Sequence, residues 1–354
     1  MTLFDSPAFQ AHESVHAFSD EKTGLKAIIA VHSTARGPAA GGCRMWNYES
    51  AGAALEDVLK LSRGMSYKNA VADLELGGGK SVIIGDSRTQ KTPELFEAFG
   101  RAVESLGGRY WTAEDVGVSV ADIMHASKTT RYAVGIEGNP AGSGDPSPVT
   151  AEGVFRGIKT SVRHGLGAQD ISGLTIAIQG VGHVGAILAD KLHAAGAKLI
   201  IADVNQDALR QVADKTGAQI VSPDDIYDAE AEVFAPCALG GAINADSLSR
   251  LKARVIAGGA NNQLASPEMG RVLFERGLTY APDYVINGGG IINVASEVHG
   301  LQKNHAHNPE WVEGKLSRLM ETLDEVLARS KSERRPTHEI ADEIAEARIR
   351  AARA

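Results

Sequence analysis

Cysteine is nearly missing from this chain: among 354 residues only Cys43 and Cys237 occur, far apart and neither in a CxxC pair. That scarcity excludes a disulfide framework and a cysteine-built zinc site, and it leaves both residues to be read as small buried apolar groups. Basic charge is also short, with 36 Lys and Arg against 44 Asp and Glu and a formal net charge of -8. No basic face large enough to attract polyphosphate is expected, so nucleic acid drops out as a partner. Long apolar runs are lacking too, since none approaches the roughly 20 residues of a bilayer span. Met1 to Gln10 has neither the basic start nor the apolar core of a secretory signal. The expected setting is therefore the cytoplasm, with no membrane as a partner. Internal repeats and low-complexity tracts are absent, and the 39 glycines fall in clusters rather than in a period, which removes collagen-like and disordered readings.

What is present is length and hydrophobic pattern enough for two domains. Leu25 to His32 reads as a strand, followed by a Gly, Pro and Ala loop from Ser33 to Gly42. Ala54, Leu55, Val58, Leu59 and Leu61 recur at near-helical spacing, which predicts a helix over about Ala51 to Arg63 with Met65 and Lys68 just beyond its end. Val82 to Ile84 reads as a short strand. Thr92 with Pro93 behind it starts a helix, and Ser119 with Asp122 three residues on starts another through a reciprocal cap. Between Glu137 and Pro148 lies a stretch rich in Gly, Pro and Ser, and the domain junction is expected there. After it, Leu174 to Gln179, Lys198 to Asp203, Val233 to Ala235 and Arg254 to Ala257 read as parallel strands buried on both faces, alternating with helices. The expected fold class is α/β with two domains separated by a cleft: an α/β catalytic and oligomerisation domain over residues 1–140, and a doubly wound Rossmann-type domain over 141–330. The last helix, within 331–354, is expected to pack back on the first domain.

The strand Leu174 to Gln179 runs directly into Gly180-Val181-Gly182-His183-Val184-Gly185, and an apolar-striped helix follows through Leu188 and Leu192. GxGxxG alone is a weak signal, but strand, glycine turn and helix together are the context a dinucleotide site demands. Gly180 permits the tight turn, Gly182 lets the backbone touch a pyrophosphate, and Gly185 allows close helix packing, with the helix N-terminal amides facing the phosphates. Asp203 closes the second strand about 20 residues on, where a carboxylate accepts hydrogen bonds from ribose hydroxyls. A 2′-phosphate would meet that negative charge, and Val204 and Asn205 offer no arginine to neutralise it. The expected cofactor is NAD rather than NADP.

Two other motifs mislead. Leu76-Gly77-Gly78-Gly79-Lys80-Ser81 looks like a phosphate-binding loop, yet that motif needs a glycine at position 74, which is Leu, and a helix where Val82 to Ile84 reads as strand. A lysine emerging from three glycines can instead be confined, and desolvation or a nearby cation would lower its pKa from about 10.4 towards that of a general base. Lys80 is thus the first candidate catalytic residue. His12-Glu13-Ser14-Val15-His16 matches HExxH, but no convincing helix surrounds it and no third ligand follows. No metal is expected.

With the lysine loop and the fingerprint both in view, the chain resembles the glutamate/leucine/phenylalanine/valine dehydrogenase family, closest to its leucine and phenylalanine members, from about residue 12 to 350. The resemblance rests on Gly37 to Met45 (GPAAGGCRM), Met65 to Lys68, Gly77 to Lys80, Thr112 to Gly117 (TAEDVG), the fingerprint, Pro236 to Gly241, Gly258 to Asn262 and Asn287 to Gly290. It implies NAD-dependent reversible oxidative deamination of an amino acid by a homo-oligomer. It implies that Lys68 binds the substrate carboxylate, that Lys80 is the acid/base for water attack on the imine carbon, and that Asp115 exchanges protons with the amino nitrogen. A second cation beside Lys80 would then depress its pKa. The same resemblance assigns Gly41, Gly42, Met65 and Asn262 to substrate binding, and Thr150, Val181, His183, Val184, Ala238 and Asn261 to the cofactor alongside the fingerprint glycines and Asp203.

Glutamate-specific members carry a lysine just before the GG pair, where this chain has Ala40. A buried distal carboxylate would lack its partner, at a cost of several kcal/mol. The pocket is therefore expected to be apolar, lined by Ala40, Ala113, Ile291 and Val294, and suited to leucine, valine or isoleucine. The small Ala40 would also admit an aromatic group, so phenylalanine stays open as the alternative. Oxidation of a 2-hydroxy acid would call for a histidine base with an arginine on the carboxylate, and no convincing block supplies that pair. A non-catalytic NAD-sensing protein would be expected to have lost one of Lys68, Lys80 and Asp115, and all three remain.

Overall fold

Alternating apolar residues build the first sheet. The structure, a computed structural model, describes residues 3–136 and 141–353. In chain order the first elements are β1 (Ser14–Asp20), β2 (Leu25–Ser33), β3 (Ala39–Trp46), α1 (Ala51–Val71), β4 (Gly77–Ile84), α2 (Pro93–Glu104), β5 (Tyr110–Glu114) and α3 (Val120–Ser127). The sheet order is β1-β2-β4-β3-β5, with β3 parallel to both β4 and β5 and β2 antiparallel to β1 and β4. Successive side chains leave a strand on opposite faces, so each strand feeds two cores. Ala39, Cys43, Met45 and Ile83 join Phe96 and Phe99 of α2 and Ile123 of α3 on one face. Ala30 and Val82 join Ala54, Val58 and Leu59 of α1 on the other. Register pairs Ala40 with Gly78, Arg44 with Val82 and Gly42 with Ala113. Ala40, Gly42, Arg44, Lys80 and Ala113 therefore share the face that α1 covers, and Asp115 continues the alternation two residues past Ala113.

The caps expected at Thr92 and Ser119 are present: Thr92 Oγ1 accepts from Leu95 N, and Ser119 and Asp122 exchange bonds. Two elements run further than the local pattern predicts. Helix α1 continues past Gly64 to Val71, so Met65 and Lys68 lie inside its last two turns rather than beyond its end. A helical glycine costs only about 1 kcal/mol relative to alanine, which packing of the helix on the sheet outweighs. Its last carbonyls are capped from far along the chain, since the Arg348 guanidinium donates to Ala70 O at 3.0 Å and Val71 O at 2.8 Å. Strand β4 begins at Gly77, not at Val82, so the three glycines are strand and not turn. Their reason is crowding: a Cβ at Gly78 would lie 2.1 Å from Ser66 N of α1, and one at Gly79 would lie 2.7 Å from the Tyr110 ring of β5.

The remaining elements are α4 (Ser147–Leu166), β6 (Thr175–Gln179), α5 (His183–Ala194), β7 (Lys198–Ala202), α6 (Gln206–Thr216), β8 (Gln219–Ile220), β9 (Val233–Pro236), α7 (Ala245–Arg250), β10 (Val255–Ile256), α8 (Pro267–Glu275), β11 (Thr279–Tyr280), α9 (Asp283–Ile286), α10 (Gly289–Lys303), α11 (Pro309–Glu333) and α12 (Thr337–Arg353). Strands β6 to β11 form a six-stranded, wholly parallel sheet in the order β11-β10-β9-β6-β7-β8. The order reverses between β6 and β9, the switch point at which such sheets take ligands at the carboxyl ends of their strands.

The chain divides into two units, one of Met1–Asp145, Asn293–Val312 and Ala345–Ala354 and the other of Pro146–Ile292 and Glu313–Ile344. This differs from a division at 140 and 330. Residues 293–312 belong with the first unit, and of the segment 331–354 only Ala345 onward does. Three of the boundaries fall inside α10, α11 and α12, where the helical pattern runs on unbroken and gives no local sign of a change of partner. Part of the Gly, Pro and Ser stretch, 137–140, lies outside the described residues. Among the described residues no helix is long and apolar enough to cross a membrane.

Candidate active site

In the first unit, the face beneath α1 gathers the ionisable groups. Lys80 is 5% exposed, and its Nζ lies 3.0 Å from Asp115 Oδ2. The same Oδ2 takes Arg44 Nε at 3.1 Å, and Arg44 Nη1 donates in turn to Asp57 Oδ2 at 3.0 Å. Tyr48 donates its hydroxyl to Asp57 Oδ2 at 2.6 Å. Burial raises the pKa of the Asp115 carboxyl, but Lys80 and Arg44 together outweigh it and hold the group below the ordinary carboxylate value. Burial, then the bond to Asp57, pushes the Tyr48 phenol up, so it remains a donor. The feature of the site is thus an ion pair between Lys80 and a carboxylate.

Around this pair the backbone is held tightly. Asn69 Nδ2 donates to Gly77 O at 2.6 Å, pinning the turn of α1 that carries Lys68 to the start of β4. Tyr110 donates its hydroxyl to Gly41 O at 2.6 Å, fixing the Gly41-Gly42 pair. Ala40 is buried, while Met65, Lys68 and Ala113 are half-buried. Val294 lies in this unit, on α10; Ile291, one turn earlier on the same helix, falls in the other. The sheet face that α1 covers therefore holds Ala40, Gly42, Lys80 and Ala113, with Asp115 just past the end of β5; Gly41 lies between Ala40 and Gly42 on β3, α1 itself carries Met65 and Lys68, and Ile291 and Asn262 belong to the second unit.

In the second unit the groups are backbone amides. Gly180 has φ of +96°, and a Cβ there would lie 2.8 Å from Ala238. A Cβ at Gly185 would lie 2.0 Å from Gly180 O, the close packing expected of that glycine. Gly182 faces open space and caps α5 without any side-chain bond, so the amides of His183 and Val184 begin a helix whose N-terminus has not been satisfied by a side chain. Asp203 Oδ2 accepts from Val181 N at 2.7 Å and Oδ1 from Asn205 N at 2.8 Å. A carboxylate has about four acceptor positions, so Asp203 secures the glycine turn while keeping capacity for hydroxyl donors. Thr150 sits in the first turn of α4 and donates to Pro146 O at 2.9 Å. Asn261 Oδ1 accepts from Asn287 Nδ2 at 2.7 Å, and Asn262 follows with φ of +52°.

The HExxH match has no helix, because Ser14–Asp20 is strand. His12 Nε2 is instead spent on Leu59 O at 3.0 Å and Ser62 Oγ at 3.1 Å. Among the described residues no cluster could hold a metal ion. Cys43 is buried, and burial pushes its thiol to about 12 and that of Cys237 to about 11. Reading by sequence missed Arg44, Asp57, Tyr48 and Glu297. Arg44 stands two residues after Gly42 and shares its face by strand alternation, a signal that was available. Glu297, 1% exposed, accepts from Gly135 N and Ser143 N across more than 150 residues, and nothing local announces that.

A family model described as Glu/Leu/Phe/Val dehydrogenase, dimerisation domain, matches residues 10–132, and one described as Glutamate/Leucine/Phenylalanine/Valine dehydrogenase matches residues 201–354. The leucine dehydrogenase of Geobacillus stearothermophilus is 48% identical over 349 residues, 99% of this chain and 94% of that one. The phenylalanine dehydrogenase of Bacillus thermotolerans is 46% identical over 355 residues, 99% and 91%. The crystal structure of L-tryptophan dehydrogenase from Nostoc punctiforme matches with a TM-score of 0.85 at 37% identity, covering 97% of each chain.

Proposed function

Because this chain belongs to the glutamate/leucine/phenylalanine/valine dehydrogenase family, we propose that it catalyses the reversible NAD-dependent oxidative deamination of an apolar L-amino acid, leucine, valine or isoleucine, to the 2-oxo acid and ammonia. The observation that carries this reading is the Lys80–Asp115 pair, its lysine buried on a sheet face whose neighbouring wall residues are Ala40 and Ala113.

The second unit fits a dinucleotide. Gly182 opens onto free space at an uncapped helix N-terminus, where amides and dipole favour a pyrophosphate. The Asp203 carboxylate suits ribose hydroxyls and repels a 2′-phosphate, which favours NAD over NADP. Bound there, NAD supplies the acceptor for the hydride that leaves the substrate Cα.

The chain's own residues do the rest. Lys68 fixes the substrate carboxylate, with the amides of Gly41 and Gly42 beside it. Asp115, ionised at neutral pH, takes a proton from the substrate amino group, so the nitrogen lone pair is free to form the C=N bond as hydride departs. Lys80 removes a proton from the water that adds to the imine carbon, passes it to the nitrogen, and takes up the proton of the new hydroxyl as C–N cleavage forms the carbonyl and releases ammonia. Glutamate is disfavoured because buried Ala40 offers its distal carboxylate no cation. The working form is a homo-oligomer, which mass measurement in solution checks.

The test is a substrate panel in both directions, with NADH followed by its near-ultraviolet absorbance. Turnover of leucine, valine or isoleucine above phenylalanine is the expected result. Folded protein that oxidises none of the four amino acids sinks the reading, and a preference for phenylalanine moves the substrate to the aromatic class.

A further inference from the structure

The proposed chemistry needs Asp115 with one oxygen held and the other free to meet the substrate nitrogen. Both of its ionic contacts, Lys80 Nζ at 3.0 Å and Arg44 Nε at 3.1 Å, fall on Oδ2. Among the described residues none donates to Oδ1. Lys80 alone is a poor anchor, because it is itself assigned to proton transfer and its flexible stem must serve a second partner. Arg44 has no such duty: its guanidinium stays charged and is held at its far end by Asp57 Oδ2, which Tyr48 also engages.

The four charges of Lys80, Asp115, Arg44 and Asp57 sum to zero, so the chain of bonds is satisfied without a counter-ion from outside. It ties together four elements: β4, which carries Lys80; β3, which carries Arg44; α1, which carries Asp57 near its start and Met65 and Lys68 near its end; and the turn after β5, which carries Asp115. Arg44 stands two residues from Gly42, and Asp115 two from Ala113, on the same covered face. A residue needed only for solubility would not be tied at both ends of its guanidinium to carboxylates on different elements.

We propose that Arg44 is a positioning residue: braced by Asp57 and Tyr48, it clamps Oδ2 of Asp115 and leaves Oδ1 aimed at the amino group of the substrate. This rests on the role proposed for Asp115. A charge-assisted hydrogen bond contributes about 1.5–3 kcal/mol, and with Arg44 partly exposed the lower end applies, about a tenfold effect.

The experiment compares Arg44→Ala, Asp57→Asn, Tyr48→Phe and Asp115→Asn in the full-length protein, with leucine and NAD and with melting temperature measured beside kcat. The expected result for Arg44→Ala is a kcat lowered about tenfold or more with NADH affinity unchanged, and substantial recovery when guanidinium ion is added at millimolar concentration. Asp57→Asn and Tyr48→Phe are expected to lose progressively less, and Arg44→Ala to cost nothing further in an Asp115→Asn background. Arg44→Ala with kcat within twofold of the parent overturns the proposal, as does a loss that guanidinium does not restore. Should Arg44→Ala fail to fold, Asp57→Asn and Tyr48→Phe decide: parental kcat in both overturns the proposal, and a loss in both with NADH affinity retained sustains it. Full activity in Asp115→Asn overturns the role of Asp115 itself, whereas a dead Asp115→Asn beside a fully active Arg44→Ala removes only the clamp.

Discussion

The two units present their candidate ligand-binding groups in opposite ways. The first uses side chains: Lys80, Arg44 and Asp115 come from two strands and a turn, and their convergence depends on sheet register. The second uses main chain: amides at the start of α5, glycines where a side chain would collide, and one carboxylate that secures the turn. Charge that must move protons needs titratable side chains, whereas charge that only needs holding can be met by backbone dipoles. Substitutions in the first unit should therefore damage chemistry and spare cofactor binding, and substitutions in the second should do the reverse.

The sharpest break is Lys80→Ala, which is expected to abolish turnover while NADH still binds with parental affinity by fluorescence titration. Comparable turnover in that variant would take Lys80 out of the mechanism. The mirror-image change is Gly180→Ala. Its φ of +96° is unfavourable for any side chain, and the new Cβ would meet Ala238 at 2.8 Å. A strain of about 1–2 kcal/mol predicts NADH binding weakened by about tenfold, and unchanged affinity would show that the turn tolerates a methyl group.

A smaller effect is expected at Asp203. Asp203→Ser keeps an acceptor for Val181 N but removes the charge, so the preference for NAD over NADP should fall several-fold, read as a ratio of kcat/KM values. An unaltered ratio would place cofactor choice elsewhere.

The smallest effect is on stability, in the first unit. Burial first, then the neighbouring His12 and Arg63, lowers the His32 pKa to about 4, and its ring is bonded to Ser66 Oγ at 2.7 Å. In the unfolded chain this histidine takes a proton near its ordinary value of about 6.5, so between that pH and about 4 the unfolded state binds more protons. Stability should accordingly decline as pH falls through that window and level off below it. His32→Asn should flatten this part of the melting-temperature profile, and parallel profiles for variant and parent would exclude His32 as the source.

The same contrast explains what could be read in advance. The fingerprint is contiguous, with strand, turn and helix adjacent in sequence, and Leu174 to Gln179 was expected as strand within one residue of the observed Thr175–Gln179. The lysine site is assembled from separate segments, and local reading of Gly77 to Gly79 pointed to a turn because the atoms that require glycine there, Ser66 N and the Tyr110 ring, arrive from α1 and β5. The local pattern ends helix α1 short of Gly64 for a similar reason: the packing that carries it to Val71 lies in another element. Resemblance to a family names Lys68, Lys80 and Asp115, but the sheet register is what relates Lys80 to the strand that leads to Asp115, and only the side-chain geometry exposes Arg44 between Asp115 and Asp57.

The cap that Arg348 places on α1 has a consequence in time. Residues 70 and 71 leave the ribosome early, yet the guanidinium that closes their carbonyls is made 278 and 277 residues later. In a nascent chain halted before that arginine the lysine-bearing helix is expected to fray at its last turn, which hydrogen exchange at Ala72 and Asp73 on stalled chains would read. A helix among the first to be synthesised would then gain its closing bonds only as translation draws to its close.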